Sequence, residues 1–257
     1  MVKKALVRPP SPRLTEGIVT HIQRQPVDFG LARQQWESYV AALEEHGWET
    51  ITVPAADDCP DGVFIEDPVL VYRSVAVIAR PGALSRRPET KAVEPEVAGL
   101  GYAVAHITEP GTLDGGDVLK VGDTLYVGRG GRTNPEGVRQ LRAVLAPLGA
   151  QVVAVPVEKV LHLKSAVTAL PDGTVIGYPR VVDNPSVFAR FLPVPEESGS
   201  HVVDLGEGRI LMAADCPQSA ALFADLGYEP VTVDISEFEK LEGCVTCLSV
   251  RLRAAPR

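Results

Sequence analysis

Short apolar runs recur along this chain in pairs, and each pair is followed by an amphipathic stretch and one more apolar run. Val69–Tyr72 and Val75–Ala79 read as two strands, a helical region follows to about Leu100, and Tyr102–Ile107 reads as a third strand. The pattern returns in Val118–Val121 and Thr124–Val127, a helix opened by Asn134-Pro135 and stopped at Gly149, and a strand at Gln151–Val155. A third unit has strands at Ala166–Leu170 and Thr174–Tyr178, a helix starting at Asn184-Pro185 and a closing strand near His201–Leu205. A fourth runs from Gly208 to Met212, through a helix at Pro217–Leu226, to a strand at Val231–Asp234. The repeat length is about 45 to 50 residues, and fixed-period self-similarity marks a repeat architecture.

The N-terminal strand (residues 3–7), a helix from Leu31 to Gly47 and a strand at Thr50–Val53 form most of one more unit. The alternating segment Cys247–Leu252, read as a strand starting at the cysteine, completes it. Five strand-strand-helix-strand units closed by the two chain ends predict an α/β ring, with residues 1–257 as a single catalytic domain. The proline-rich stretch from Pro9 to Asp28 reads as a long loop, of the kind that covers binding sites.

Composition narrows the class. The chain is 45% hydrophobic and 23% charged, with a net charge of −8, ordinary for a soluble globular protein and unsuited to nucleic acid or an anionic membrane. It has no apolar run near the roughly 18 residues of a membrane helix, and its N-terminal apolar run is too short for a secretory signal. Cys59, Cys216, Cys244 and Cys247 do not make a disulfide scaffold, so a reducing, cytoplasmic setting is expected.

Laying the units over one another puts polar residues in register. Glu66-Asp67, Gly116-Asp117 and Lys164-Ser165 each precede a strand, and Phe64, Asp114 and His162 stand three residues before Asp67, Asp117 and Ser165. In a pseudo-symmetric ring such positions converge on one centre. His162, between Leu161 and Leu163, reads by itself as a core residue; together with these carboxylates it becomes a candidate proton carrier. A site with several carboxylates suits a cationic substrate. Metal ligation is the less favoured reading, because no second histidine stands at ligand spacing and Cys244-x-x-Cys247 lacks a second pair. Cys247 is the candidate nucleophile, His162 its proton partner and Asp114 the group that orients the imidazole.

The motifs Leu113-Asp114-Gly115-Gly116-Asp117, Leu161-His162-Leu163-Lys164-Ser165 and Thr246-Cys247-Leu248-Ser249-Val250 resemble those of the guanidine-modifying hydrolases and amidinotransferases. Phe64-Ile65-Glu66-Asp67, Arg80-Pro81-Gly82-Ala83-Leu84-Ser85-Arg86-Arg87 and Arg132-Thr133-Asn134 are similar to the dimethylarginine dimethylaminohydrolase family in particular. The resemblance implies a five-bladed α/β-propeller of ββαβ modules, the pentein fold. It implies cofactor-free hydrolysis of N-omega-methylated arginine to citrulline and a methylamine through a Cys247 thiouronium. It also implies that Glu66, Asp67 and Phe64 surround the guanidinium, that Asp61 meets the ammonium, and that Arg86 and Arg132 meet the carboxylate, with Arg129 as the alternative to Arg132. Ile18 and Leu241 correspond to backbone contacts, Ile18 from a loop acting as a lid. The expected partner is a small-molecule substrate, and the expected assembly a homodimer. An arginine or agmatine deiminase, or a non-catalytic binder of cationic amino acids, is the competing expectation.

Overall fold

A computed structural model describes residues 3–252. It contains five three-stranded sheets, each holding one antiparallel and one parallel strand pair. β1 (Lys3–Val7), α1 (Phe29–Glu45) and β2 (Trp48–Thr52) come first. The first full blade is β3 (Val69–Tyr72), β4 (Val75–Ile78), α2 (Val93–Gly99) and β5 (Ala103–His106). The second is β6 (Val118–Val121), β7 (Thr124–Arg129), α3 (Pro135–Leu145) and β8 (Gln151–Pro156). The third opens with a short helix α4 (Leu163–Ala166) and contains β9 (Val167–Ala169), β10 (Val175–Gly177) and β11 (Phe191–Pro193). The fourth is β12 (Val202–Gly206), β13 (Arg209–Ala213), α5 (Pro217–Asp225) and β14 (Glu229–Val233), followed by α6 (Ser236–Glu239) and β15 (Val250–Leu252).

The last strand closes the ring. β1 runs parallel to β2 and antiparallel to β15, with Leu6 opposite Val250. β3 and β4 are apolar on both faces because each blade is packed on both sides, as the unbroken runs Val-Leu-Val-Tyr and Val-Ala-Val-Ile anticipate. Neighbouring blades share cores: Leu70, Tyr72 and Val77 pack with Leu125, Val127, Leu141 and Leu145, and Leu119 and Tyr126 pack with Val167 and Val175. Local signals fix the helices. Asp28 Oδ1 accepts a 3.0 Å hydrogen bond from the Leu31 amide, and Asn134 Oδ1 one of 2.8 Å from the Gly137 amide. Gly149, at φ +84°, ends the helical turn beyond α3 in the left-handed conformation that glycine adopts without strain.

Three expectations need correction. The strand near His201–Leu205 does not close the third blade; it is β12, the first strand of the fourth. The third blade closes with the three-residue β11, too short and proline-ended to show as a periodic run. The helix expected from Asn184-Pro185 is a single 3-10 turn, Pro185–Val187, in which the Asn184 carboxamide accepts from both the amide and the hydroxyl of Ser186. Cys247 lies in a turn, and the strand starts only at Val250. Among the described residues no helix is long and apolar enough to cross a membrane.

Candidate active site

The segments that enter the blades meet at the ring's axis. After β2 the chain reaches Asp61, Phe64, Glu66 and Asp67, all buried. The Asp67 carbonyl accepts from the Gly115 amide at 2.9 Å, and Asp67 Oδ1 accepts from the Gly116 amide at 2.8 Å. These bonds tie the start of the first blade to the start of the second. A Cβ on Gly116 would stand 2.6 Å from Asp67 Oδ1 and 2.7 Å from His162 Nδ1, so only glycine lets the imidazole settle there. Asp117 reaches the third blade: its Oδ1 accepts from the Leu163 amide at 2.9 Å, and its Oδ2 accepts from the Thr133 hydroxyl at 2.6 Å. It thereby holds the N-terminus of α4, with His162 immediately before it.

His162 Nε2 lies 3.0 Å from Asp114 Oδ2, and Nδ1 lies 3.8 Å from Asp67 Oδ1. Burial on its own lowers an imidazole pKa, but here Asp67, the Asp114 hydrogen bond and Asp117 outweigh it and raise His162 to about 9. The ring therefore rests as an imidazolium at neutral pH. Burial works against the Asp67 carboxylate, but His162, the Arg86 ion pair and the Gly116 amide prevail and bring it down to about 2. Burial pushes Asp117 up to about 6.

One cavity is lined by Ile18, Asp61, Phe64, Asp67, Arg86, Arg132, Leu161, His162, Leu241, Glu242, Gly243 and Cys247. Its free volume is about 10 Å³, room for about one water, so a larger guest enters only if part of the wall moves. The N-terminal loop contributes Ile18 to that wall. The Ile18 amide donates to Asp61 Oδ1 at 3.0 Å, and the amides of Thr20 and His21 both donate to the Glu242 carboxylate, the latter at 2.9 Å.

Cys247 is the one thiol on this cavity, and its Sγ lies 3.3 Å from that of Cys244. The hydrogen bond with the Cys244 sulfur, burial, and the negative charges of Glu66 and Asp67 all hold the proton on Cys247. Asp67, Asp114 and His162 offer three potential ligand atoms within 4.8 Å of one another. Their oxygens already accept from Gly116, Arg86 and Gly82, and the Arg132 guanidinium stands 3.7 Å from Asp114. Both guanidinium charges oppose a divalent cation in that position.

Comparisons with known proteins identify the family. The arginine deiminase family model matches residues 55–207. A dimethylarginine dimethylaminohydrolase of Streptomyces coelicolor is 71% identical over 98% of this chain and 97% of its own length. The chain belongs to the dimethylarginine dimethylaminohydrolase family. The dimethylarginine dimethylaminohydrolase of Pseudomonas aeruginosa, solved as a cysteine-to-serine variant with citrulline, superposes with a TM-score of 0.91 at 35% identity, covering 98% of this chain and all of that one. A histidine-to-glycine variant of such an enzyme, in adduct with S-methyl-L-thiocitrulline, gives the same TM-score at 34% identity and the same coverage.

The expected residues do not all face the same way. Arg132 is buried on the cavity, and its Nη1 has no hydrogen-bond partner among the described residues; Arg129 is exposed at the end of β7. Arg86 also lines the cavity, but it is committed to Asp67 at 2.5 Å, to both Glu89 oxygens, and to the carbonyls of Asp61 and Phe64. Glu66 does not line this cavity. Its Oε1 accepts from Lys164 Nζ at 2.5 Å and Arg251 Nη2 at 3.0 Å, in a separate axial cavity of about 450 Å³. Sequence reasoning missed Glu242 as the tie of the loop and did not assign Asp117 its structural task. Glu242 has no motif around it, whereas Asp117 stood in the aligned register.

Proposed function

We propose that this protein hydrolyses asymmetric dimethylarginine and monomethylarginine to citrulline and the corresponding amine, with Cys247 as nucleophile. The observation that carries the reading is the shared cavity of Cys247 and the His162–Asp114 pair, with carboxylates and the Arg132 guanidinium, whose Nη1 lacks a hydrogen-bond partner among the described residues, on its walls. That wall chemistry suits a cationic side chain joined to a zwitterionic amino-acid end.

The substrate guanidinium rests beside Asp67 and Phe64. Its positive charge offsets the anions that hold Cys247 protonated, and the thiol gives up its proton to water. The thiolate attacks the guanidinium carbon to form a tetrahedral adduct. The His162 imidazolium protonates the departing amine, leaving a thiouronium on Cys247. His162 is now neutral; it takes a proton from water, and the hydroxide adds to the thiouronium carbon. Collapse of this second adduct expels Cys247 and frees citrulline. Asp114 keeps the imidazole oriented through both halves. Asp61 binds the ammonium, Arg132 binds the carboxylate, and Ile18 and Leu241 contribute backbone contacts as the loop closes. Arg86 supports the carboxylate end while fixing Asp67. Neither metal nor cofactor enters.

The reading is tested with a panel of methylarginines, arginine and agmatine, scoring citrulline or its decarboxylated counterpart. Release from the methylarginines in the presence of a chelator supports it. Product from arginine or agmatine alone would favour the deiminase reading, which the arginine deiminase family match keeps in view. A cytoplasmic location accords with four unpaired cysteines. Light scattering of the purified protein tests the expected homodimer.

A further inference from the structure

The structure leaves Cys244 without a part in hydrolysis, yet places it against the nucleophile. We infer that Cys244 and Cys247 form a peroxide-responsive dithiol whose oxidation to a disulfide switches the enzyme off, an inference that rests on Cys247 being the nucleophile.

Three observations carry it. The Cys247 amide donates to the Cys244 carbonyl at 3.0 Å, closing a tight turn. Such a turn keeps its first and last Cα atoms within about 7 Å, and disulfides span Cα separations of about 4.4 to 6.8 Å. The two sulfurs are already 3.3 Å apart, so the bond forms with a small rotation of the side chains. The sulfurs also face different spaces. Cys247 looks into the active-site cavity, while Cys244 lines an outer groove of about 560 Å³ together with His21, Ser165, His201, Glu239 and Glu242. A small oxidant thus reaches the pair through the groove while the N-terminal loop stays closed over the active site.

Cys244 is the sulfur that meets the oxidant. Its Sγ lies 3.3 Å from the Cys247 thiol and 3.2 Å from the Thr246 hydroxyl, both able to donate to it. These hydrogen bonds and the nearby His201 outweigh burial and lower its pKa, so the proton the two sulfurs share stays on Cys247. The Cys244 thiolate displaces hydroxide from hydrogen peroxide and becomes a sulfenic acid. The Cys247 sulfur then attacks that sulfur, its proton leaves with the departing oxygen as water, and the disulfide forms. The dithiol loses two electrons and two protons in all, and the peroxide becomes two waters. A reducing dithiol reverses the change. While the bond stands, Cys247 has no thiolate to offer.

The test uses the full chain, fully reduced and then exposed to graded hydrogen peroxide. Intact mass, non-reducing peptide mapping and turnover are read before and after dithiothreitol, each protein being scaled to its own untreated rate. The expected result is a loss of about 2 Da, a linked Cys244–Cys247 peptide, and a fall in turnover of about tenfold or more that dithiothreitol restores. In Cys244→Ala no linked peptide can form, and whatever turnover peroxide removes is not restored by dithiothreitol. Wild type and Cys244→Ala failing alike and irreversibly, with no linked peptide, would overturn the inference and leave the hydrolase reading intact. Linked protein that retains full turnover would overturn the switch and also the role of Cys247 as nucleophile.

Discussion

The Nε2 atom of His162 sits 3.0 Å from Asp114 Oδ2, with both side chains buried. In that setting Asp67, the hydrogen bond to Asp114 and Asp117 together keep the buried imidazole charged, against the pull of desolvation. In the proposed mechanism the first half-reaction needs that proton, and the second needs the imidazole after the proton has gone. Asp114→Asn is expected to lower kcat by about 10²- to 10⁴-fold, the usual range for general acid–base catalysis. It should also move the alkaline limb of the rate profile from about pH 9 to lower pH. An unchanged limb in the variant would remove Asp114 from its orienting role.

The same pair makes stability depend on pH. The folded-state pKa of His162, about 9, exceeds the unfolded value of 6.5. Its contribution is therefore complete below the unfolded pKa and is lost as pH rises through the folded one. The difference in Tm between wild type and His162→Asn should shrink steadily from pH 6.5 to pH 9. A difference that widens over this interval would contradict the assigned charge.

Arg132 and Arg86 should separate in a substrate comparison. Arg132 has an unpartnered buried donor, so Arg132→Ala is expected to raise KM for methylarginine on the order of 10- to 100-fold, with little change for an agmatine-like substrate lacking the carboxylate. Arg86 also holds Asp67 and Glu89 in the interior, and its loss removes a buried ion pair from each of these carboxylates. Arg86→Ala should therefore impair both substrates and cost about 3–5 kcal/mol of stability, measured by urea unfolding. Selective loss of only the carboxylate-bearing substrate, with normal stability, would contradict this division.

The neighbours Glu66 and Asp67 offer a parallel contrast. Asp67 lines the reaction cavity, whereas Glu66 is paired with Lys164 and Arg251 in the other axial cavity. Asp67→Asn is expected to abolish most turnover. Glu66→Gln should mainly lower Tm, with kcat/KM falling less than about tenfold. Equal kinetic losses would place Glu66 at the substrate after all.

The loop tie gives a prediction outside kinetics. Glu242→Ala removes the acceptor for the amides of Thr20 and His21. Hydrogen exchange at those two amides should speed up by about tenfold or more, while the β1 amides keep their protection. Unchanged exchange at Thr20 and His21 would show that the loop is held elsewhere.

Much of this arrangement was legible because ββαβ units repeat their register. Phe64, Asp114 and His162 hold equivalent places before three successive blades, and all three are buried near the axis. The same register misled at the next positions. Glu66 and Lys164 are equivalent too, but they pair with each other away from the reaction cavity, because Glu66 stands in a turn and Lys164 in α4, where neighbouring side chains point to different sides. The third blade was misread for a different reason: β11 has three residues and ends in proline, so it has no periodicity to detect. The Glu242 tie and the contact between Cys244 and Cys247 depend on how a loop and a turn fold back, which no local pattern encodes.

In the proposed mechanism Cys247 carries the substrate carbon between the two half-reactions. Acid quenching of a single turnover with asymmetric dimethylarginine, followed by mass analysis of the peptides, tests this directly. The expected result is a transient adduct on Cys247, equal to the substrate less dimethylamine, that rises before citrulline and decays as citrulline forms. Citrulline accumulating while Cys247 stays unmodified at every quench time, or the adduct residing on Cys244, would contradict it.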